Sequence, residues 1–190
     1  MVKKLTILYA LMPFLTKPKE KLHLSAIARE LDEPHPTVRL WLNRLEKKGV
    51  LKKSSQGRLT LYALNQGNRA ILDYLTIAEK LKLVMMCEES PLMQEFVSFA
   101  QHTLPAGSKA LIFGSAVESL HAAHDLDILI VGKGEMNALA EKARMLGKDA
   151  HIIHVKSFQQ VSVALRNEIT KKHLIINGTE EFVRWSVWQT

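Results

Sequence analysis

The stretch Lys109-Ala-Leu-Ile-Phe113-Gly114-Ser115-Ala-Val-Glu-Ser-Leu-His121-Ala-Ala-His124-Asp125-Leu126-Asp127-Ile-Leu-Ile-Val131-Gly132 decides how this chain reads. An apolar run, Ala110 to Phe113, stops at Gly114-Ser115. A polar, helix-capable segment follows. Asp125 and Asp127 then open a second apolar run, Ile128 to Val131. Short apolar runs bounded by Gly and Asp read as buried strands. Residues two apart on a strand share a face, so Asp125 and Asp127 place two carboxylates side by side where the second strand begins. Adjacent like charges are unfavourable unless a cation sits between them, and Mg²⁺ is held by such carboxylates together with substrate phosphates.

This block resembles the nucleotidyltransferase superfamily typified by polymerase beta and the minimal nucleotidyltransferases. Its hallmark is Gly-Ser after one strand and Asp-x-Asp on the next, here Gly114-Ser115 and Asp125-Leu126-Asp127. The resemblance implies a mixed sheet flanked by helices and a nucleoside triphosphate held at Gly114 and Ser115. It also implies Mg²⁺ (or Mn²⁺) held by Asp125 and Asp127. A small Gly lets backbone approach phosphate, and Ser115 is expected to open a helix whose N–H groups attract anions.

The family also uses a third carboxylate from a later strand. The next strand candidate, Ala150 to Val155, follows a helix-like run from Glu135 to Leu146 and a stop at Gly147. Its interior contains no Asp or Glu. Asp149, at its edge, is the candidate third catalytic carboxylate beside Asp125 and Asp127, expected a pleat or more short of the usual place. His151 or His154 is expected in its stead, and a histidine can serve as general base near neutral pH. Three apart on a regular strand, these two histidines point to opposite faces. His121 and His124 flank Ala122-Ala123 in a loop and lack a third ligand. Cys87, in an apolar helix end, reads as a small core residue.

Composition sets the frame. The chain has 190 residues, 47% of them hydrophobic, enough for one ordinary or two small packed domains. One cysteine excludes an intramolecular disulfide and suits a reducing compartment, so a cytoplasmic location is expected. The start, Met1 to Leu11, imitates a signal peptide but is followed by Pro13, Lys17, Lys19 and Lys21 with no small-residue cleavage site. No apolar run approaches the ~18 residues of a membrane span, and no membrane partner is expected. The net charge of +7 lies wholly in the first half: residues 1–89 hold 16 Lys and Arg against 9 Asp and Glu, residues 90–190 hold 10 of each. A lopsided basic segment is the electrostatic footprint of a polyanion partner.

That basic half carries its own pattern. Residues 5–16 fit a helix bent near Pro13, and Leu24 to Leu31 a second. Asp32-Glu33-Pro34-His35-Pro36 is a turn. A third helix is expected from Pro36 to Lys48, with Val38, Trp41, Leu42 and Leu45 as its buried stripe. Val50 to Lys53 and Arg58 to Leu64 bracket Ser54-Ser55-Gln56-Gly57, a hairpin signal with basic flanks. Three helices and a hairpin in this order resemble winged helix-turn-helix regulators, and Pro36 to Val50 resembles their recognition helix. The resemblance implies binding of double-stranded DNA. On that resemblance Arg39 and Asn43 are candidate base readers, Arg44, Lys47, Lys52, Lys53 and Arg58 are candidate phosphate contacts, and Thr37, outside the buried stripe, is a further candidate DNA contact.

Asn68 is expected to cap a long helix from Arg69 to about Met86, with Ile71, Leu75, Ala78, Leu81 and Met85 on one side. This helix either forms a homodimer stripe or packs on both halves. Ser90 reads as an N-cap and Pro91 as the first residue of a helix to about His102. Ser157 is expected to cap a helix through Val161 and Leu165. An apolar strand, Gly178 and a final helix carrying Phe182, Val183 and Trp185 close the chain. The expected organisation is a winged helix over 1–66, a linking helix over 67–89 and a nucleotidyltransferase-like domain over 90–190, an α/β (α+β) fold. Two functions stay open. One is nucleotidyl transfer with Mg²⁺. The other is a DNA-binding transcription regulator whose second domain senses nucleotide or dimerises.

Overall fold

The structure, a computed structural model, describes residues 7–57 and 59–188. It is a mixed α+β chain with two sheets among these residues. The chain divides into two compact units, Met1–Glu79 with Ser186–Thr190, and Lys80–Trp185.

In the first unit, residues 7–9 are helical, the chain turns at Ala10 and Leu11, and helix α1 covers Met12–Thr16. The single helix expected over 5–16 is thus broken rather than bent. Pro13 has no N–H for the carbonyl of Tyr9, so a continuous helix would lose a bond there. Residues 5 and 6 lie outside the described residues. Strand β1, Leu22–His23, leads directly into α2, Leu24–Glu30. His23 caps α2, its Nδ1 accepting from the Ser25 N–H at 3.2 Å. Helix α3, His35–Lys47, buries Val38, Trp41, Leu42 and Leu45, the stripe its spacing predicts.

Strands β2, Leu51–Gln56, and β3, Leu59–Leu64, form the expected hairpin, and β1 adds to its other side in the antiparallel order β1-β3-β2. Ser54, Ser55 and Gln56, expected in the turn, are instead paired with Leu61, Thr60 and Leu59. Gly57 follows β2 with φ +60°, a left-handed value that tight hairpin turns use. The amide nitrogens of Asn65 and Asn68 both donate to the Gly49 carbonyl, at 2.8 and 2.9 Å, fixing the chain after β3 to the end of α3. Asn68 Oδ1 accepts from the Ala70 N–H, and helix α4 runs from Ile71–Glu89, starting two residues later than expected. Ile71, Leu75 and Ala78 are buried as expected. Further along, Leu83 is buried while Leu81 and Met85 are only partly covered.

In the second unit, Ser90 accepts from the Met93 N–H and starts α5, Pro91–Thr103. Four strands follow: β4 Lys109–Phe113, β5 Asp125–Val131, β6 Asp149–Val155 and β7 His173–Asn177. Their order is β6-β5-β4-β7, with β5 and β6 parallel and the other pairs antiparallel. Helix α6, Met136–Met145, makes the crossover that a parallel pair needs. Beyond Lys109, Asp125 and Asp127 at their starts, the two central strands are apolar, because both faces are covered there. Ala110, Ile112, Ile128, Ile130, Leu174 and Ile176 pack with Met93, Phe96 and Leu139 on one side. Leu111, Phe113, Leu129, Val131 and Ile175 pack with Phe182 and Trp185 on the other. Helix α7, Val163–Lys171, is capped by Ser162, whose Oγ accepts from the Leu165 N–H. Ser157 makes no cap bond, since a short 3₁₀ turn at Phe158–Gln160 intervenes. Helix α8, Thr179–Trp188, ends the described chain and carries the aromatic contacts of Phe182 and Trp185 with Phe158.

Candidate functional site

The Gly-Ser turn and the Asp-x-Asp pair meet at the junction of β4 and β5. Phe113 and Asp127 are cross-strand partners, so Gly114 leaves β4 directly beside Asp127. Gly114 has φ +76°, and a β-carbon on it would stand 2.6 Å from Asp127 Oδ2. The position therefore demands glycine twice, for its backbone conformation and for the space the carboxylate occupies.

Asp125 and Asp127 lie on the face of β5 that also carries Leu129 and Val131. Leu126 between them is buried on the opposite face. The parallel register pairs Asp125 with Asp149 and Asp127 with His151. Asp149 is thus the first residue of β6 and stands next to Asp125. The neighbour of Asp127 is His151, whose Nδ1 is 3.5 Å from Asp127 Oδ1. His154, on the other face as expected, hydrogen-bonds the Gly132 carbonyl at 2.6 Å through Nε2. The geometry brings Asp125, Asp127, Asp149 and His151 to one face and leaves His154 out. Among the described residues no three His, Cys, Asp or Glu side chains form a group able to hold a metal ion by themselves. Two carboxylates on one strand are the hard-oxygen set that Mg²⁺ combines with substrate phosphates.

Ser115 is exposed beside this face, but it does not begin an α-helix. Gly114–Val117 is a single 3₁₀ turn. The Ser119 hydroxyl accepts from the Ala122 N–H, a local side-chain bond that competes with helix continuation. His121 and His124 are exposed in the following loop. That loop is held by a residue the sequence did not single out: Lys148 Nζ donates to the carbonyls of His121 and Ala123 at 3.0 and 2.7 Å. Cys87 packs against the apolar core of this unit, and burial pushes its thiol pKa up, which suits a core residue.

In the first unit, the side of α3 opposite its buried stripe carries the residues expected to meet DNA. Arg39, Arg44 and Lys47 are exposed, while Thr37 and Asn43 are half-buried. Lys52 and Lys53 are exposed on β2, and Arg58 lies outside the described residues. Asn43 is already engaged: its Oδ1 accepts from the Tyr62 hydroxyl at 3.0 Å and from Lys53 Nζ at 3.3 Å. The Lys53 ammonium also lies 5.9 Å from the centre of the Tyr62 ring. Lys53 therefore leans back onto the domain, whereas Lys52, on the opposite side of the strand, does not share these partners. Burial raises the Tyr62 pKa more than Arg39 lowers it, so the hydroxyl keeps its proton to donate. Tyr62 was legible only as a strand residue; no local pattern marks it as the holder of Asn43.

Among the described residues no helix is long and apolar enough to cross a membrane. No family model, curated protein or solved structure matches this chain.

Proposed function

We propose that the chain joins a DNA-binding winged helix, residues 1–66, to a nucleotidyltransferase-like domain, residues 90–190, that binds a nucleoside triphosphate with Mg²⁺ and transfers its nucleotidyl group to an acceptor hydroxyl. The observation that carries the reading is the closure of Gly114 on Asp127, which places a bare backbone turn against the second of two same-face carboxylates. Asp125 and Asp127 would hold Mg²⁺ or Mn²⁺, and their hard oxygens fit that group. The bound ion supplies neutralisation of charge on the phosphates.

The chain's own residues do the rest. Gly114 leaves room for a phosphate to approach the backbone, and the exposed Ser115 hydroxyl donates to a phosphate oxygen. The acceptor oxygen bonds to the α-phosphorus, the bond to the pyrophosphate oxygen breaks, and the acceptor proton passes to Asp149 or His151. Positioning and electrostatics carry most of the barrier lowering in phosphoryl transfer.

One observation favours a second reading. The residue beside Asp127 is a histidine, not a carboxylate. A regulator that binds DNA and senses nucleotide without rapid transfer accommodates that substitution. Labelled triphosphate incubated with Mg²⁺ and candidate acceptors separates the two. Fast label transfer lost in Asp125→Ala supports the enzyme. Binding without transfer, in the parent and in Asp149→Ala alike, supports the sensor. Neither binding nor transfer removes both.

A further inference from the structure

We propose that Leu40 and Asn43 of α3 together read one thymine in the major groove of duplex DNA, Leu40 through the C5-methyl group and Asn43 by donating to O4. The inference rests on the reading of residues 1–66 as a DNA-binding domain and adds what that domain recognises.

Leu40 is the anomaly that starts the argument. It is 50% exposed on a helix whose apolar stripe is otherwise buried. It lies one turn from Asn43, so the two side chains are neighbours on the helix surface. Both line a cleft of about 410 Å³ with Arg44, Glu46, Lys47 and Lys53. Three cations against one carboxylate, with Arg39 exposed on the same helix, give the rim of this cleft the sign that attracts a phosphate backbone. An apolar side chain inside a cationic rim suits DNA, which presents phosphates around bases, better than an apolar protein surface.

The state of Asn43 then selects the base. A free asparagine pairs with adenine by accepting from N6 and donating to N7. Here the amide oxygen is taken by Tyr62 and Lys53. The lysine ammonium can only donate, so it fixes which end of the amide is oxygen. Asn43 is left with its NH₂ group, a donor that needs an acceptor on the base. In the major groove thymine alone offers an acceptor, O4, beside a methyl group. Guanine offers acceptors without a methyl, adenine presents a donor beside N7, and cytosine presents a donor.

The test uses the full chain and chemically altered duplexes. A preferred site is selected from a random-sequence duplex pool, and each thymine in it is replaced in turn. Deoxyuridine, which lacks only the methyl, should weaken binding about fourfold at one position, the effect of one buried methyl-sized group. Leu40→Ala should bind the thymine and deoxyuridine duplexes equally; the side chain is exposed and alanine favours helix, so the fold is kept. A 5-methylcytosine·guanine pair at that position keeps the methyl but turns a donor toward Asn43. It should cost the parent chain roughly tenfold or more, and Asn43→Ala should lose that discrimination. A selected site without thymine, or a parent chain indifferent to deoxyuridine at every position, overturns the inference while leaving DNA binding intact. Absence of any salt-dependent duplex binding removes the DNA-binding reading and the inference with it.

Discussion

Gly114 and Asp127 are in contact across the β4–β5 junction: a β-carbon on the first would stand 2.6 Å from a carboxylate oxygen of the second. Gly114→Ala should therefore destabilise the second unit by about 1–3 kcal/mol, combining a left-handed alanine with a clash. The clash component depends on the carboxylate. In a double-mutant cycle with Asp127→Ala, the cost of the alanine should shrink, and denaturant unfolding measures the coupling. Purely additive effects would show that backbone conformation alone demands the glycine.

Asp127 also tests the ligand. If it helps hold Mg²⁺ with a triphosphate, the two together should raise the melting temperature, because a ligand that binds only the native state stabilises it by about 2.7 kcal/mol at a hundredfold excess over its dissociation constant. Asp127→Asn should abolish the shift. An unchanged shift in that variant places the triphosphate elsewhere.

Much of this site was legible in the sequence because its signals are local. Ser90-Pro91 announced a helix start, and the hydroxyl cap is there. Apolar runs around Gly114 and Asp127 announced strands, and both formed. What was not legible depends on partners distant in the chain. Two residues, Leu22 and His23, show no periodicity and become a strand only by pairing with Tyr62 and Leu61. Ser54-Ser55-Gln56 has turn composition, yet β3 recruits it as an exposed strand. The alignment of Asp149 with Asp125, and of His151 with Asp127, is set by a parallel crossover that no local pattern encodes. The segment after Gly114, expected to open a helix, forms one 3₁₀ turn, and downstream of it the Ser119 hydroxyl takes the Ala122 N–H.

Asn68 holds two elements at once. Its nitrogen donates to the Gly49 carbonyl and its oxygen accepts from the Ala70 N–H. Asn68→Ala should cost about 1–3 kcal/mol, more than one average hydrogen bond, since it removes two side-chain bonds, one to Gly49 and one in the turn before α4. Asn65→Ala should cost less, because Gly49 then keeps one of its two donors. Equal losses in the two variants would show that the bond to the Ala70 N–H adds nothing.

Cys87 should react slowly with iodoacetamide at pH 8 compared with a free thiol, because burial raises its pKa and the thiolate is the nucleophile. The same shift fixes a sign in stability. Burial favours the protonated native thiol, so its contribution is full below the ordinary thiol pKa and is lost as pH rises through the raised value. Cys87→Ala should lessen the fall in stability at alkaline pH. Alkylation as fast as in a free thiol would place the sulfur in solvent.

Lys52 and Lys53 are adjacent in sequence but should behave differently toward DNA. Lys52 is exposed on β2 with no shared partner in the Asn43–Tyr62 pair, and it should act as a phosphate contact. Lys52→Ala should weaken binding to all duplexes alike and reduce the slope of log K against log salt by about 1. Lys53 donates to Asn43 Oδ1 and lies over the Tyr62 ring. Its removal frees part of the amide oxygen, so Lys53→Ala should alter sequence preference as well as affinity, with a smaller change in salt slope than Lys52→Ala. Titration of each variant against a selected and a scrambled duplex at several salt concentrations measures both quantities. Identical slopes and preferences for the two variants would mean that the bond from Lys53 to Asn43 does not govern how the helix meets the bases.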